Sequence, residues 1–131
     1  MSDFLLPITA IYASLNIMLL IGLAFLVVHH RIANQVARGG AGIEPLERAI
    51  RTHGNLAEYG PSALILLALL EFNGLPTWQL VTLGTLFTFA RVSHVHGMLT
   101  ATLLTRSMGA LVSIIAMVSM IGRLLTLAVM G

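Results

Sequence analysis

The sequence predicts an all-α membrane protein, a four-transmembrane-helix bundle, and three observations carry that reading. Four apolar segments, about Leu5–Val28, Asn55–Phe72, Trp78–Leu99 and Ser107–Met130, each come close to the ~20 residues that cross a bilayer. Of the 131 residues, 57% are hydrophobic and 9% charged, with a mean hydropathy of +0.94. A water-soluble domain carries about 25% charge. Backbone amides in hydrocarbon find no water, so segments of this kind must close their hydrogen bonds within a helix. The length suits a single domain over 1–131.

Composition also excludes. The net charge of +2 comes from seven basic residues, all Arg, without a basic run of the kind that binds nucleic acid. With no Cys, the chain offers no disulfide, no thiolate metal site and no cysteine nucleophile.

The first segment has no basic stretch before it and reads as a retained span, not a cleaved signal. Ser14 and Asn16 within it are read as interhelical hydrogen-bonding groups, worth about 0.6 kcal/mol each. His29 and His30 close the span beside Arg31 in the headgroup zone. No third ligand accompanies them, so no metal is assigned. Gly39, Gly40 and Gly42 mark a flexible connection. Glu44-Pro45 then opens a second helix, with Glu44 and Glu47 suiting the positive end of its dipole. That helix runs from about Pro45 to Phe72, and Gly60-Pro61 is expected to kink it.

Asn73-Gly74-Leu75-Pro76 is a tight turn, with Thr77 the N-cap of the third span and Trp78 an interface anchor. The fourth span opens just after Arg106, which is assigned to the preceding turn. Its Gly109, Ser113 and Ala116 form a small-residue packing stripe. Orientation follows from the arginines. Arg31, Arg38, Arg48 and Arg51 lie between spans one and two, and Arg106 between three and four, while Asn73–Thr77 has none. The positive-inside rule puts those two loops in the cytoplasm and both termini outside it.

One stretch breaks the apolar pattern. Arg48, Arg51, Asn55, Glu58 and Ser62 fall within roughly 80° of arc on the second helix, at the 3.6-residue period. On the third span, Gly84, Phe87, Arg91, His94 and Met98 share a face, while His96 points elsewhere and takes no role. A charge at the centre of a span costs about 2.5–3.5 kcal/mol, so Arg91 should face protein, with Glu58 as its counter-ion. Arg123, about two turns from the end of span four, should pair with Glu71 or snorkel to the outer surface.

Arg51-Thr-His-Gly-Asn55-Leu-Ala-Glu58-Tyr59-Gly-Pro61, followed by Phe89-Ala90-Arg91-Val92-Ser93-His94, resembles the membrane-associated proteins in eicosanoid and glutathione metabolism, the MAPEG family. The similarity covers about residues 44–108 and looks like the family's small bacterial branch. It implies a homotrimer in the bacterial inner membrane, with glutathione as co-substrate between neighbouring subunits near the cytoplasmic side. The glutathione contacts of the second helix carry over onto Arg51, Asn55, Glu58 and Tyr59, and those of the third onto Arg91 and His94. Arg106 is the nearest match to the arginine that meets the thiol. Many transferase members carry a Tyr one turn beyond the third-helix aromatic; Met98 stands there in this chain.

Residue chemistry agrees with that ligand. Arg48 or Arg51 suits a carboxylate, Glu58 an ammonium and Asn55 a peptide amide. Arg106 or Arg91 would hold a thiolate that attacks a small apolar electrophile arriving from membrane lipid, with no metal. The implied activity is a glutathione-dependent transferase or peroxidase. A non-catalytic lipid-binding or scaffold protein is the competing reading. A small transporter is disfavoured, because no broken helices recur in corresponding halves.

Overall fold

In the computed structural model, which describes residues 3–131, the chain forms four helices. The first two residues of the expected domain lie outside that range. The helices are α1 (Pro7–Asn34), α2 (Glu44–Phe72), α3 (Thr77–Thr100) and α4 (Leu103–Met130). α2 and α3 occupy the centre. α1 packs on both of them from one side and α4 from the other, and α1 and α4 do not meet.

At 1.5 Å per residue, 28-residue α1 and α4 are each about 42 Å long, more than a ~30 Å hydrocarbon layer. These two are long and apolar enough to cross a membrane by composition alone. α2 and α3 fall short of that apolarity because they carry polar residues within their lengths, among them Arg51, Asn55 and Glu58 in α2 and Arg91 and His94 in α3. Ile11, Leu15, Met18 and Phe25 of α1 and Leu111, Ile115, Val118 and Leu125 of α4 all face outward. An apolar surface this extensive is one that lipid, not water, covers.

The apolar core is concentrated at one end of the bundle. Ala63, Leu67 and Leu70 of α2, Leu80 and Phe87 of α3, and Ala116 and Met120 of α4 form it, closed by Leu75 from the turn. A smaller cluster of Leu23, Leu56 and Val95 joins α1 to the centre nearer the other end. The arginine-rich end therefore has less packing to hold it shut.

The connections refine the expectations. Gly39 and Gly42 both have positive φ, +63° and +73°, in the α1–α2 loop, where a side chain would be strained. Arg31 ties that loop to α1 by donating to the Gly39 carbonyl at 2.8 Å. α2 begins at Glu44 with Glu44 and Glu47 in its first turn, and it runs through Pro61 as one helix. Thr77 is not the cap of α3 but its first residue. Pro76, extended at φ −54° and ψ 138°, takes the cap position and its carbonyl accepts from Gln79 and Leu80.

Arg106 does not lie in a turn. α3 and α4 are joined by Ala101 and Thr102 alone, so Arg106 falls in the first turn of α4. Gly97 is the reason: a Cβ there would collide with the Arg106 backbone, so only glycine lets α4 start so close to α3. Ala101 turns the chain with φ 56°, and the Thr102 amide returns to the Gly97 carbonyl at 3.0 Å.

Candidate functional site

The site sits where α2, α3 and the start of α4 converge, at the arginine-rich end. Each helix contributes one face. α2 brings Arg48, Arg51, Asn55, Glu58 and Tyr59; α3 brings Arg91, His94 and Met98; α4 brings Arg106. A cavity of about 200 Å³ is lined by Arg48, Arg51, Met98 and Arg106 among others. One of about 360 Å³ adjoins it through Arg51, Met98 and Arg106, and adds Asn55, Glu58 and His94. A third, of about 70 Å³, lies further in between Asn55, Tyr59, Arg91, His94 and Ser113. Shared lining residues make these one groove with an inner pocket.

Arg91 is the most buried charge, 2% exposed, and faces protein as its position required. Its partner differs from the expected one. The guanidinium donates to Asn55 Oδ1 at 3.0 Å and lies over the Tyr59 ring at 5.5 Å and the Phe87 ring at 6.0 Å. Glu58 does not pair with it: one turn beyond Asn55, its carboxylate stands exposed on the open side of the groove. A neutral amide and two π faces therefore hold Arg91, which leaves the carboxylate for something else.

His94 is fixed from α4. Its Nδ1 lies 3.0 Å from the Arg106 carbonyl, which can only accept, so Nδ1 carries the proton. Ser93 donates to the Thr105 carbonyl at 3.0 Å, a second tie between the same two turns. Gly109, read as packing, does pack: the α3 backbone at Ala90 and His94 occupies the space of its missing side chain. Ser113, read the same way, donates to the Gly109 carbonyl at 2.7 Å and also lines the inner pocket. That second role is invisible in a small-residue stripe.

Among the described residues, the one ion pair is Arg48 with Glu44, one turn apart on α2. Arg51, Glu58 and Arg106 are exposed, lack an ion-pair partner, and line the same cavity. No group of His, Asp and Glu among the described residues could hold a metal. The site's chemistry is that of two or three guanidiniums, one carboxylate and an amide around an open groove. Such a set suits a small zwitterion with more than one carboxylate.

The expected Glu71–Arg123 pair does not form. Glu71 accepts from the Ile8 and Thr9 amides at 2.9 and 2.7 Å, at the start of α1. Leu6 at the N-cap position has no side chain that can accept, and the Glu71 carboxylate satisfies both free amides and the dipole in its place. Arg123 donates instead to Gln79, near the start of α3. Asn16 does bond between helices, to Thr88 Oγ1 at 3.0 Å, whereas Ser14 turns back to the Ala10 carbonyl of its own helix. His96 meets Thr105 Oγ1 on the exposed side, away from the groove.

Comparison with known sequences agrees with this architecture. A profile of the MAPEG family matches residues 9–126. Proteins named inner membrane protein YecN, from two Escherichia coli strains, are each 39% identical to it over 90 residues, 69% of this chain and 69% of theirs. With four helices, a lipid-facing surface and a match spanning nearly its whole length, the chain belongs to the MAPEG family of membrane proteins.

Proposed function

We propose that this protein is a glutathione-dependent transferase of the inner membrane, joining the thiolate of glutathione to a small apolar electrophile that arrives through lipid. The observation that carries the reading is the set of unpaired charges on one groove: Arg51, Arg106 and Glu58, with Asn55 between them. Glutathione has two carboxylates, an ammonium and a thiol, and this set offers a cation for a carboxylate, an anion for the ammonium and a second cation for the sulfur anion. Arg51 holds a carboxylate by a planar fork, Glu58 the ammonium, and Asn55 a peptide amide. The two adjoining cavities, about 200 and 360 Å³, together reach the size that small ligands occupy.

Arg106, at the edge of both larger cavities, stabilises negative charge on sulfur, and a thiol beside a cation ionises more readily. Sulfur then bonds to the electrophilic carbon. With an aryl halide the carbon–halogen bond breaks, halide leaves with the electron pair, and the thiol proton goes to water. Reduction of a hydroperoxide would use the same thiolate. The groove is open along its side, and a neighbouring copy would close it in a homotrimer. Five of the seven arginines gather at the groove end, which the positive-inside rule assigns to the cytoplasm, with both termini outside.

Met98 favours a second reading. It lines both larger cavities where a hydroxyl would bind the ligand, and an apolar lining there suits a lipid tail in a non-catalytic protein. Purified protein in detergent, given glutathione and an aryl halide beside a direct glutathione-binding measurement, decides between them. Saturable binding with turnover supports the transferase. Lipid retention without glutathione binding rejects it.

A further inference from the structure

Two buried polar atoms in the site lack any partner among the described residues: Arg91 Nε and His94 Nε2. Arg91 is 2% and His94 7% exposed, so both are cut off from solvent, and both line the same inner pocket of about 70 Å³. Their roles are opposite. Arg91 Nε–H is a donor. His94 Nδ1 is committed as donor to the Arg106 carbonyl, so Nε2 of the neutral ring is an acceptor. Each is a buried polar group that has lost water without gaining a partner, which is unfavourable if left so. One group can satisfy both only if it accepts and donates.

The pocket is too small for a tripeptide but opens, past His94 and Asn55, onto the larger cavity where Arg51 and Glu58 stand. A carboxylate would answer Arg91 and not Nε2; an ammonium would do the reverse. Of the groups glutathione carries, the thiol alone donates and accepts through a single atom. Building on the transferase reading, we infer that the thiol enters this inner pocket and that His94 Nε2 takes its proton. Arg91 Nε–H then meets the sulfur anion from the inner pocket, and the Arg106 guanidinium meets it from the larger cavity that His94 also lines.

The step balances. The S–H bond breaks with its pair remaining on sulfur, and the proton passes to Nε2, giving an imidazolium–thiolate pair. Sulfur bonds to the electrophilic carbon and an aryl halide expels halide with the bonding pair. The imidazolium returns its proton to water. Positioned general bases of this kind contribute about 10²–10⁴-fold. The Arg106 backbone thereby has a positioning role, because its carbonyl fixes the tautomer that leaves Nε2 free to accept.

His94→Asn tests this with least disturbance. Its amide nitrogen takes the place of Nδ1 and keeps the bond to the Arg106 carbonyl, while the Nε2 acceptor disappears. Glutathione affinity should change by no more than a few-fold, and turnover at neutral pH should fall by about 10²–10⁴. A variant that turns over like the parent overturns the role of His94 and leaves the transferase reading standing. A parent that neither binds glutathione nor conjugates it overturns both. A second measurement needs no variant. Thiolate ultraviolet absorbance is followed on mixing parent protein and glutathione in weak buffer with a pH indicator. Thiolate without proton release supports transfer to His94. One proton released per thiolate formed overturns it.

Discussion

The two ends of the bundle use the same kinds of side chain in opposite ways. Opposite the groove, Glu71 of α2 closes the start of α1 by accepting two backbone amides, and Arg123 of α4 rests on Gln79 of α3. Both of these side chains find their partners within the chain, and the large apolar core lies alongside. At the groove end, Arg51, Glu58 and Arg106 line one cavity without an internal ion pair, and the nearby apolar cluster is small. Charges answered from within hold the fold; charges left unanswered around a cavity are arranged for something that arrives. Loss of a groove charge should therefore change function with little effect on stability, and loss of a charge at the other end should do the reverse.

Among the charges that distinguish the two ends, the largest effect expected is at Arg106. Arg106→Ala should lower turnover of an aryl halide by about 10²–10³, the cost of removing one preorganised charge-stabilising donor, with glutathione affinity nearly unchanged. Steady-state kinetics beside equilibrium binding checks this, and equal loss in both would reject the division of labour between Arg106 and Arg51. Arg51→Ala comes next. A charge-assisted hydrogen bond of about 1.5–3 kcal/mol is lost, so affinity should weaken by about one to two decades, with the melting temperature unmoved. Calorimetric titration and thermal unfolding on the same preparation separate the two quantities.

How much of this was legible follows from what each signal depends on. The four helices and the ladder on α2 could be read because period and hydropathy are local properties of the chain. The place of Arg106 could not be read from its hydropathic surroundings. It depends on Gly97 admitting the α4 backbone, a contact between helices that turns an expected loop into two residues. For Arg91 the sequence points to Glu58, one helical turn from the partner it has. Depth in the membrane does not distinguish Asn55 from Glu58, and only the packing of α3 on α2 shows which one the guanidinium reaches. The partner of Glu71 is hidden from the sequence for a different reason. The amides it caps belong to backbone, so no residue type at Ile8 or Thr9 announces them. The free Nε2 of His94 was equally hidden, since a backbone carbonyl fixes its tautomer.

At the closed end the comparison sharpens through stability. Glu71→Ala leaves two amides at the start of α1 without an acceptor. At about 1–3 kcal/mol for a buried unsatisfied group, it should lower the melting temperature measurably, while activity per folded molecule stays at the parent value. An unchanged melting temperature would mean that lipid headgroups or water already serve those amides.

Arg123→Ala should have the smallest effect of all. Its guanidinium is exposed and its partner, Gln79, is a neutral amide at the end of the bundle, so no ion pair is broken and no charge is left buried. Substitutions at exposed positions of this kind stay within about 0.5 kcal/mol. Thermal unfolding should therefore not distinguish Arg123→Ala from the parent, and neither should conjugation kinetics. A loss larger than that of Glu71→Ala would show that Arg123 answers a charge from outside the chain, and the contrast between a closed and an open end would fail at this residue first.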